Sequence, residues 1–283
     1  MGDVTIVIVS FNTRAELEAC LASIAAAPPS AAHRIIVVDN ASSDGSPEAV
    51  LRNWPAVRLI ASERNLGFAA ANNMGIREAA SEFVLLLNSD TLVPPGSIDT
   101  LLRALDSDAG AVAAGPRLVG ADGRPELSFG EMMGPFNELR QKLLGRLYDR
   151  RAGPAVRWVG RQVRRRQYPD WVSGACLLVR RADALAAGLL DERYFLYAED
   201  VDFCAALRAL GRRILFTPDA EVVHLRGASG RARPQDTERA YRRSQVAFYE
   251  KHHPRWAPLL RGYLRLRGAL PGDRGTGAGP VVS

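Results

Sequence analysis

Long hydrophobic runs are missing from this 283-residue chain. The longest, such as Val4 to Val9 and Phe83 to Leu87, fall far short of the roughly 20 apolar residues that a membrane-spanning helix needs. Gly2-Asp3 is not the cationic opening of a secretion signal, so a soluble, cytoplasmic protein is expected. Cysteine is scarce too. Cys20, Cys176 and Cys204 are odd in number, far apart and outside any C-x-x-C spacing, which argues against a disulfide framework or a zinc site and for buried free thiols. Two glycine-rich phosphate cradles are also absent: there is no G-x-x-x-x-G-K-[ST] loop, and no G-x-G-x-x-G follows a strand. Kinase-like, ATPase and dinucleotide-binding readings fall with them.

A hydrophobic content of 47% supplies a real core for one large domain, with or without a tail. The net charge of +6 is unevenly spread, because Arg140 to Gln167 holds many arginines against the single acid Asp149. Bulk charge of this kind attracts anions without specificity. The segment is either a solvated Arg-rich surface or the neighbour of something anionic, and its weak periodicity predicts a mobile or partner-ordered stretch.

Strand and helix signals alternate through the first hundred residues, as in a wound α/β sheet. Val4 to Ser10, Arg34 to Asp39, Val57 to Ser62 and the run from Phe83 read as strands, and Thr13 to Ala27 and the stretch "GFAAANNMGIREAA" as helices. Nearly continuous apolar strands imply a sheet covered on both faces. Further on, a helix over Pro95 to Leu105, a short strand at Ala111 to Ala114, the stretch Trp171 to Arg181, a last strand "RILFTPD" and a helix over Gln235 to His252 are expected. The economical division is one catalytic domain over 1–252 (parts 1–115 and 116–252), with a basic extension over 253–283.

Every early strand ends in polar residues: Ser10-Phe11-Asn12, Asp39-Asn40, Ser62-Glu63-Arg64-Asn65 and Asn88-Ser89-Asp90. One such ending is ordinary turn chemistry. Four at one sheet edge resemble the wall of a polar pocket, because open α/β sheets bind ligands at the carboxyl ends of their strands. Without a glycine-rich cradle, a diphosphate must be neutralised in another way. A divalent cation held by a strand-end carboxylate does this, which makes Asp90 a candidate metal ligand. The competing reading of Asn88-Ser89-Asp90 is a helix cap ahead of Pro94-Pro95.

The stretch "AEDVD", Ala198 to Asp202, opens a helix. Acids are favoured there by the helix dipole, which is the plain structural reading. The aromatic lead-in of Tyr194, Phe195 and Tyr197 adds a partly desolvated surround that would raise a carboxylate's pKa towards that of a general base. Asp202 lies further round the helix, as a cap or a partner of Arg208. His224 ends an apolar triplet as a structural residue or a ligand. Trp171 is core or a sugar-stacking face.

Taken together, "VTIVIVSFN", "VVDNASSDGS", "ERNLGFAAANNMGI", "LLLNSDT", "WVSGACLLVRR" and "FLYAEDVDFCAALRALG" resemble the inverting family 2 glycosyltransferases. The bacterial rhamnosyltransferase-like branch is the closest match, and the resemblance runs colinearly over roughly residues 4 to 250. It implies a GT-A, Rossmann-like nucleotide-diphospho-sugar transferase fold of the α/β class, with a mixed central sheet flanked by helices. It further implies that Asp39, Ser10 and Asn12 meet the donor's base, with Arg64, Asn65, Gly67, Asn72, Asn88 and Ser89 completing the nucleotide site. Asp90 and His224 would hold Mg2+ or Mn2+, and Arg226 and Ser229 would contact the diphosphate from a closing loop. Trp171, Ser173, Gly174 and Ala175 would line the sugar and acceptor region. Asp200 would be the general base, with Glu199 beside it as the alternative. Asn88 stands where the family's first metal-motif carboxylate is expected, so one charge is lost there.

The implied reaction moves a sugar from a nucleoside-diphosphate donor to a glycan or polyprenyl-linked acceptor of the cell envelope. The favoured donor is dTDP-rhamnose, with UDP-galactofuranose or a UDP-hexose as alternatives. A rival class is a non-catalytic nucleotide-sugar-binding module. A nucleic-acid partner rests on charge alone and is not expected. In the tail, Phe248, Tyr249, Trp256, Leu259, Leu260, Tyr263 and Leu264 interleave with arginines, as an interfacial segment on an anionic membrane or as an amphipathic helix closing the core.

Overall fold

Seven consecutive buried residues form β1 (Val4–Ser10), and their side chains divide strictly by parity. Val4, Ile6 and Ile8 enter one apolar cluster, while Val7 and Val9 enter a second. β4 (Phe83–Asn88) repeats the division, with Phe83, Leu85 and Leu87 opposed to Val84 and Leu86. A strand buried on both faces has no solvated side to mark, hence the unbroken apolar runs.

The computed structural model describes residues 2–225 and 234–270. β2 (His33–Asp39) and β3 (Arg58–Ala61) complete the first parallel unit, linked by α1 (Arg14–Ala26), α2 (Ser46–Asn53) and α3 (Phe68–Glu78). Then follow β5 (Thr91–Leu92), α4 (Ser97–Asp106), β6 (Ala111–Val119), β7 (Phe129–Gly130), α5 (Pro135–Asp149), α6 (Gly153–Gln162), β8 (Trp171–Val172), β9 (Cys176–Arg180) and α7 (Arg181–Ala186). The chain ends in α8 (Glu199–Ala209), β10 (Arg213–His224), α9 (Pro234–His252) and α10 (Ala257–Leu266). The main sheet has the order β3-β2-β1-β4-β9-β6-β10-β5, with β9 antiparallel to both its neighbours and β5 antiparallel to β10. It is the mixed α/β sheet expected. The chain leaves β1 towards β2 and returns on its other side at β4, so the strand order reverses between Ser10 and Asn88, where open sheets place their ligands.

Helices cover both faces. α1 and α4 pack Leu17, Leu21, Leu102 and Leu105 on one side, and α3, α6 and α8 pack Ile76, Val159, Phe203 and Leu207 on the other. A third, smaller cluster joins Tyr194 to Phe248, Tyr249 and Ala257, docking α9 and α10 beside the start of α8. All three cysteines are buried free thiols.

Three expectations need correction, and one stretch left unassigned resolves into two strands. The basic segment is not irregular: it forms α5 and α6, started by Pro135 and Pro154 in their first turns. The arginines on their outer faces mask the periodicity of the few side chains that turn inward, such as Ala155 and Val159. The stretch Trp171 to Arg181 is two strands in two sheets, because β8 pairs with β7 while β9 inserts between β4 and β6. "RILFTPD" and "EVVH" are one strand, β10, broken by a register shift between Thr217 and Glu221. Finally, Asp202 does not pair with Arg208, which binds Asp170 instead.

Asp202 is buried, and it accepts hydrogen bonds from the Tyr194 hydroxyl at 3.2 Å, Lys251 Nζ at 2.8 Å and His252 Nε2 at 2.6 Å. This network ties α8 to α9. Removing one member of a buried charged cluster typically costs about 3–5 kcal/mol. Lys251 keeps Asp191 as a second partner and is partly exposed, so Asp202→Ala is expected near the lower end, at about 3 kcal/mol. Urea unfolding would measure it, and a loss below the error of that fit would show that the network holds nothing.

Candidate active site

The strand ends coincide in space because their registers coincide: Ser10 pairs with Asp39, Asp39 with Ala61, and Val9 with Asn88. The buried Asp39 carboxylate accepts the Ser42 N–H at 2.9 Å through Oδ2, while Oδ1 has no partner. Burial outweighs that hydrogen bond and raises its pKa. A buried acceptor left without a donor is uncommon in a folded protein. Beside it, Asn12 adopts a left-handed backbone (φ 52°), which aims its Oδ1 at the Ser43 N–H, 2.7 Å away. Ser10, Thr13 and Ser89 share a hydroxyl chain at 3.1 and 2.8 Å.

The loop after β3 is tied to the same place. Asn40 donates to Asn65 Oδ1 at 2.9 Å and accepts the Leu66 N–H at 2.8 Å. Gly67 has φ +85°, and a Cβ there would stand 2.5 Å from the Phe195 carbonyl oxygen, which accepts the Phe68 N–H at 2.7 Å. Glycine is required on both counts, and it brings the start of α3 against the segment leading into α8. Arg64 is exposed at the rim. Asn72 is turned into α3, where its amide donates to the Phe68 carbonyl at 2.9 Å.

Asn88, Ser89 and Asp90 do not cap α4, whose N-terminal cap is Gly96. Asn88 Oδ1 is buried without a partner. The buried Asp90 places Oδ1 3.3 Å from His224 Nε2, and on the other side of the ring Nδ1 lies 3.2 Å from Glu126 Oε2. Burial lowers the imidazole's pKa, but the hydrogen bonds and charges of Asp90 and Glu126 outweigh it and push His224 up to about 9. Glu126 carries no signal in the sequence: it lies in the Gly/Pro-rich passage before β7, 98 positions from its partner. It gives His224 the carboxylate support that metal-ligating histidines usually have.

The turn into α8 is strained, with Tyr197 and Ala198 both left-handed at φ 69° and 66°. Such non-glycine conformations cluster at functional sites. Here they swing Asp200 onto the β8–β9 connection, where its Oδ2 accepts the Gly174 N–H at 2.9 Å and its Oδ1 the Val201 N–H at 2.8 Å. Asp200 is partly exposed, and burial raises its pKa against those two hydrogen bonds. Glu199 is buried, with Oε2 unpartnered, and burial followed by the Asp200 charge raises it well above the carboxylate range. Tyr194 does not line this surround, since its hydroxyl is turned to Asp202. Ala175 accepts the Asn88 N–H at 3.0 Å, and Ser173 Oγ accepts the Ala175 N–H at 3.2 Å. The β8–β9 turn therefore touches both the β4 end and Asp200. Trp171 donates to the Glu131 carbonyl at 2.9 Å and packs on the second apolar cluster. Arg226 and Ser229 lie outside the described residues.

This fold and this edge, with polar strand ends around a switch point and two acids at a strained helix start, define a GT-A glycosyltransferase. The chain belongs to glycosyl transferase family 2, whose model matches residues 5–166. It is 33% identical over 291 aligned positions to the N-acetylglucosaminyl-diphospho-decaprenol L-rhamnosyltransferase of Mycobacterium tuberculosis (strain ATCC 25618 / H37Rv), covering 94% of this chain and 91% of that protein. Among solved structures, a mannosyltransferase of Pyrobaculum calidifontis in complex with GDP-Man and Mn2+ superposes with a TM-score of 0.61 at 20% identity, over 95% of this chain and 72% of that one. GalNAc-T7 with UDP, GalNAc and Mn2+ gives a TM-score of 0.60 at 16% identity, over 87% and 48%.

Proposed function

We propose that this glycosyltransferase transfers rhamnose, with inversion, from dTDP-rhamnose to a hydroxyl of a polyprenyl-linked acceptor in cell-envelope glycan synthesis. The observation that carries the chemistry is the Asp200 carboxylate, held by two backbone N–H groups at the β8–β9 turn with part of its surface open. The rhamnosyl group and the polyprenyl-linked acceptor follow the name of the mycobacterial relative, and the dTDP carrier follows the resemblance of the sequence to rhamnosyltransferases.

In this reading Asp200 takes the proton of the acceptor hydroxyl as that oxygen attacks the anomeric carbon, and the bond to the diphosphate breaks on the opposite face. Asp39, Ser10 and Asn12 receive the base, and Arg64, Arg226 and Ser229 the diphosphate, while Ser173, Gly174 and Ala175 border the sugar. Residues 1–115 serve the donor and 116–252 the acceptor.

The donor set at the β4 end fits a divalent ion. Asp90 presents a carboxylate oxygen and Asn88 an unpartnered amide oxygen, and His224 Nε2, 3.3 Å from Asp90, would become a ligand on releasing its proton as the ion binds. Mg2+ commonly keeps few protein ligands and takes others from a substrate's phosphate oxygens. Bound there, the ion would offset diphosphate charge.

Among the described residues no helix is long and apolar enough to cross a membrane. A lipid-linked acceptor therefore calls for peripheral contact at the cytoplasmic face. The donor assignment is tested by a thermal-shift screen of nucleotide sugars with and without Mg2+ or Mn2+. dTDP-rhamnose at a hundred times its dissociation constant should stabilise the protein by about 2.7 kcal/mol. A larger shift with a UDP-sugar would reassign the donor.

A further inference from the structure

α5 carries an apolar stripe that no part of the described fold covers. Phe136, Leu139, Leu143 and Leu147 recur at helical spacing on one face, with Phe136 75% and Leu139 68% exposed. A second stripe runs along α10 and the residue before it: Trp256, Leu259, Tyr263 and Leu266, with Leu259 64% and Leu266 91% exposed. The stripes are one surface, because the Phe136 and Trp256 rings meet edge to face at 6.0 Å. The fold does not need it, since α10 closes the third cluster with its opposite side, through Ala257 and Leu260.

The charge around this surface is mainly positive, the nearby acids Glu131 and Glu250 being paired with Arg140 and Arg261. Arg146 and Arg150 share the outward face of α5, and Arg255 and Arg265 flank the α10 stripe. None of the four has a carboxylate partner among the described residues. α10 contains no acid, and the two acids of α5 are the buried Glu138 and Asp149 in its last turn. Large aliphatic and aromatic side chains interleaved with unpaired arginines, on two helices joined through the Phe136–Trp256 contact, have the composition of a surface that rests in the headgroup layer of an anionic bilayer.

We propose that α5 and α10 together form a docking ridge for an anionic lipid surface. Its place in the molecule supports this. Lys142 of α5 lies 5.9 Å from the centre of the Tyr241 ring, and Tyr241 meets Tyr197 edge-on at 6.0 Å, two residues before Glu199. Two ring contacts thus connect α5 to the segment that leads into the acids of the site. The inference deepens the lipid-linked acceptor reading and takes its choice of partner from it.

Vesicle flotation tests the ridge with the full chain and neither substrate. The protein should float with phosphatidylcholine vesicles containing phosphatidylglycerol and remain behind with phosphatidylcholine alone. The pair Leu139→Glu and Leu259→Glu, on fully outward positions, should weaken binding by on the order of tenfold or more. Each of Arg146→Gln and Arg265→Gln should weaken it by roughly fivefold. No binding by the parent chain, or equal binding by the Leu variant, would overturn the proposal. So would a concentration-dependent dimer in sedimentation velocity that the Leu variant abolishes without any vesicle binding, which would give the ridge to a second copy. The Leu variant should keep its nucleotide-dependent thermal shift, so a misfolded control is recognisable. A chain that floats but transfers no rhamnose would unseat the function and leave the ridge standing.

Discussion

Asp200→Asn is expected to slow sugar transfer by about a hundred- to ten-thousand-fold, the usual cost of losing a general base, while nucleotide binding stays unchanged. The separation follows from position. Asp200 sits at the β8–β9 turn, bonded to Gly174 and Val201, whereas the orphaned acceptor of Asp39 lies at the far side of the switch point. An amide at position 200 retains the volume and one of the two backbone contacts, so the turn survives. The pH profile supplies an independent check. A base works when ionised, so the rate falls as pH drops through its pKa, and burial has raised that pKa above the ordinary carboxylate value. The acid limb of kcat/KM should therefore lie above the usual carboxylate range and be missing from the residual activity of Asp200→Asn. Glu199→Gln decides the register: Glu199 is buried, and its variant should keep far more activity than Asp200→Asn. The reverse order would move the base by one residue.

β1 and β4 were legible because each is buried on both faces, and β2 and β3, which are partly exposed, because a short apolar run ends in a polar cluster. β1 occupies the span its apolar run predicts, and Asp39, Ser10 and Asn88 meet because parallel registers align the ends of equally placed strands. What was not legible depends on partners distant in the chain. Glu126 becomes part of the site only when β10 brings His224 beside it. Asp202 looks like one more helix-start acid until α9 supplies Lys251 and His252. The arginines of α5 and α6 fail for another reason. Their helices bury little, so the polar outer face dominates the composition and the helical period sinks beneath it.

Asp90→Asn is expected to remove metal stimulation and lower transfer by on the order of a hundredfold or more. The carboxylate is the one formal negative charge in the run Asn88-Ser89-Asp90. Asn88 contributes a neutral oxygen, so the loss cannot be made up along the strand. The variant should fold. Asn is nearly isosteric, the Asp90 backbone carbonyl still accepts the Leu225 N–H at 2.8 Å, and β5 still pairs with β10 through Thr91 and His224. Binding gives a readout apart from turnover. In the parent chain the thermal shift produced by dTDP should grow on adding Mn2+, because Asp90 and His224 would hold the ion and it would offset the diphosphate charge. In Asp90→Asn the shift should be the same with and without the ion. If that variant kept a metal-dependent shift, the ion would not be held at the end of β4. If both proteins lacked one while transferring sugar, the buried pair of Asp90 and His224 would be an electrostatic fixture of the β5–β10 edge, and Arg64 with Arg226 would have to offset the diphosphate charge alone.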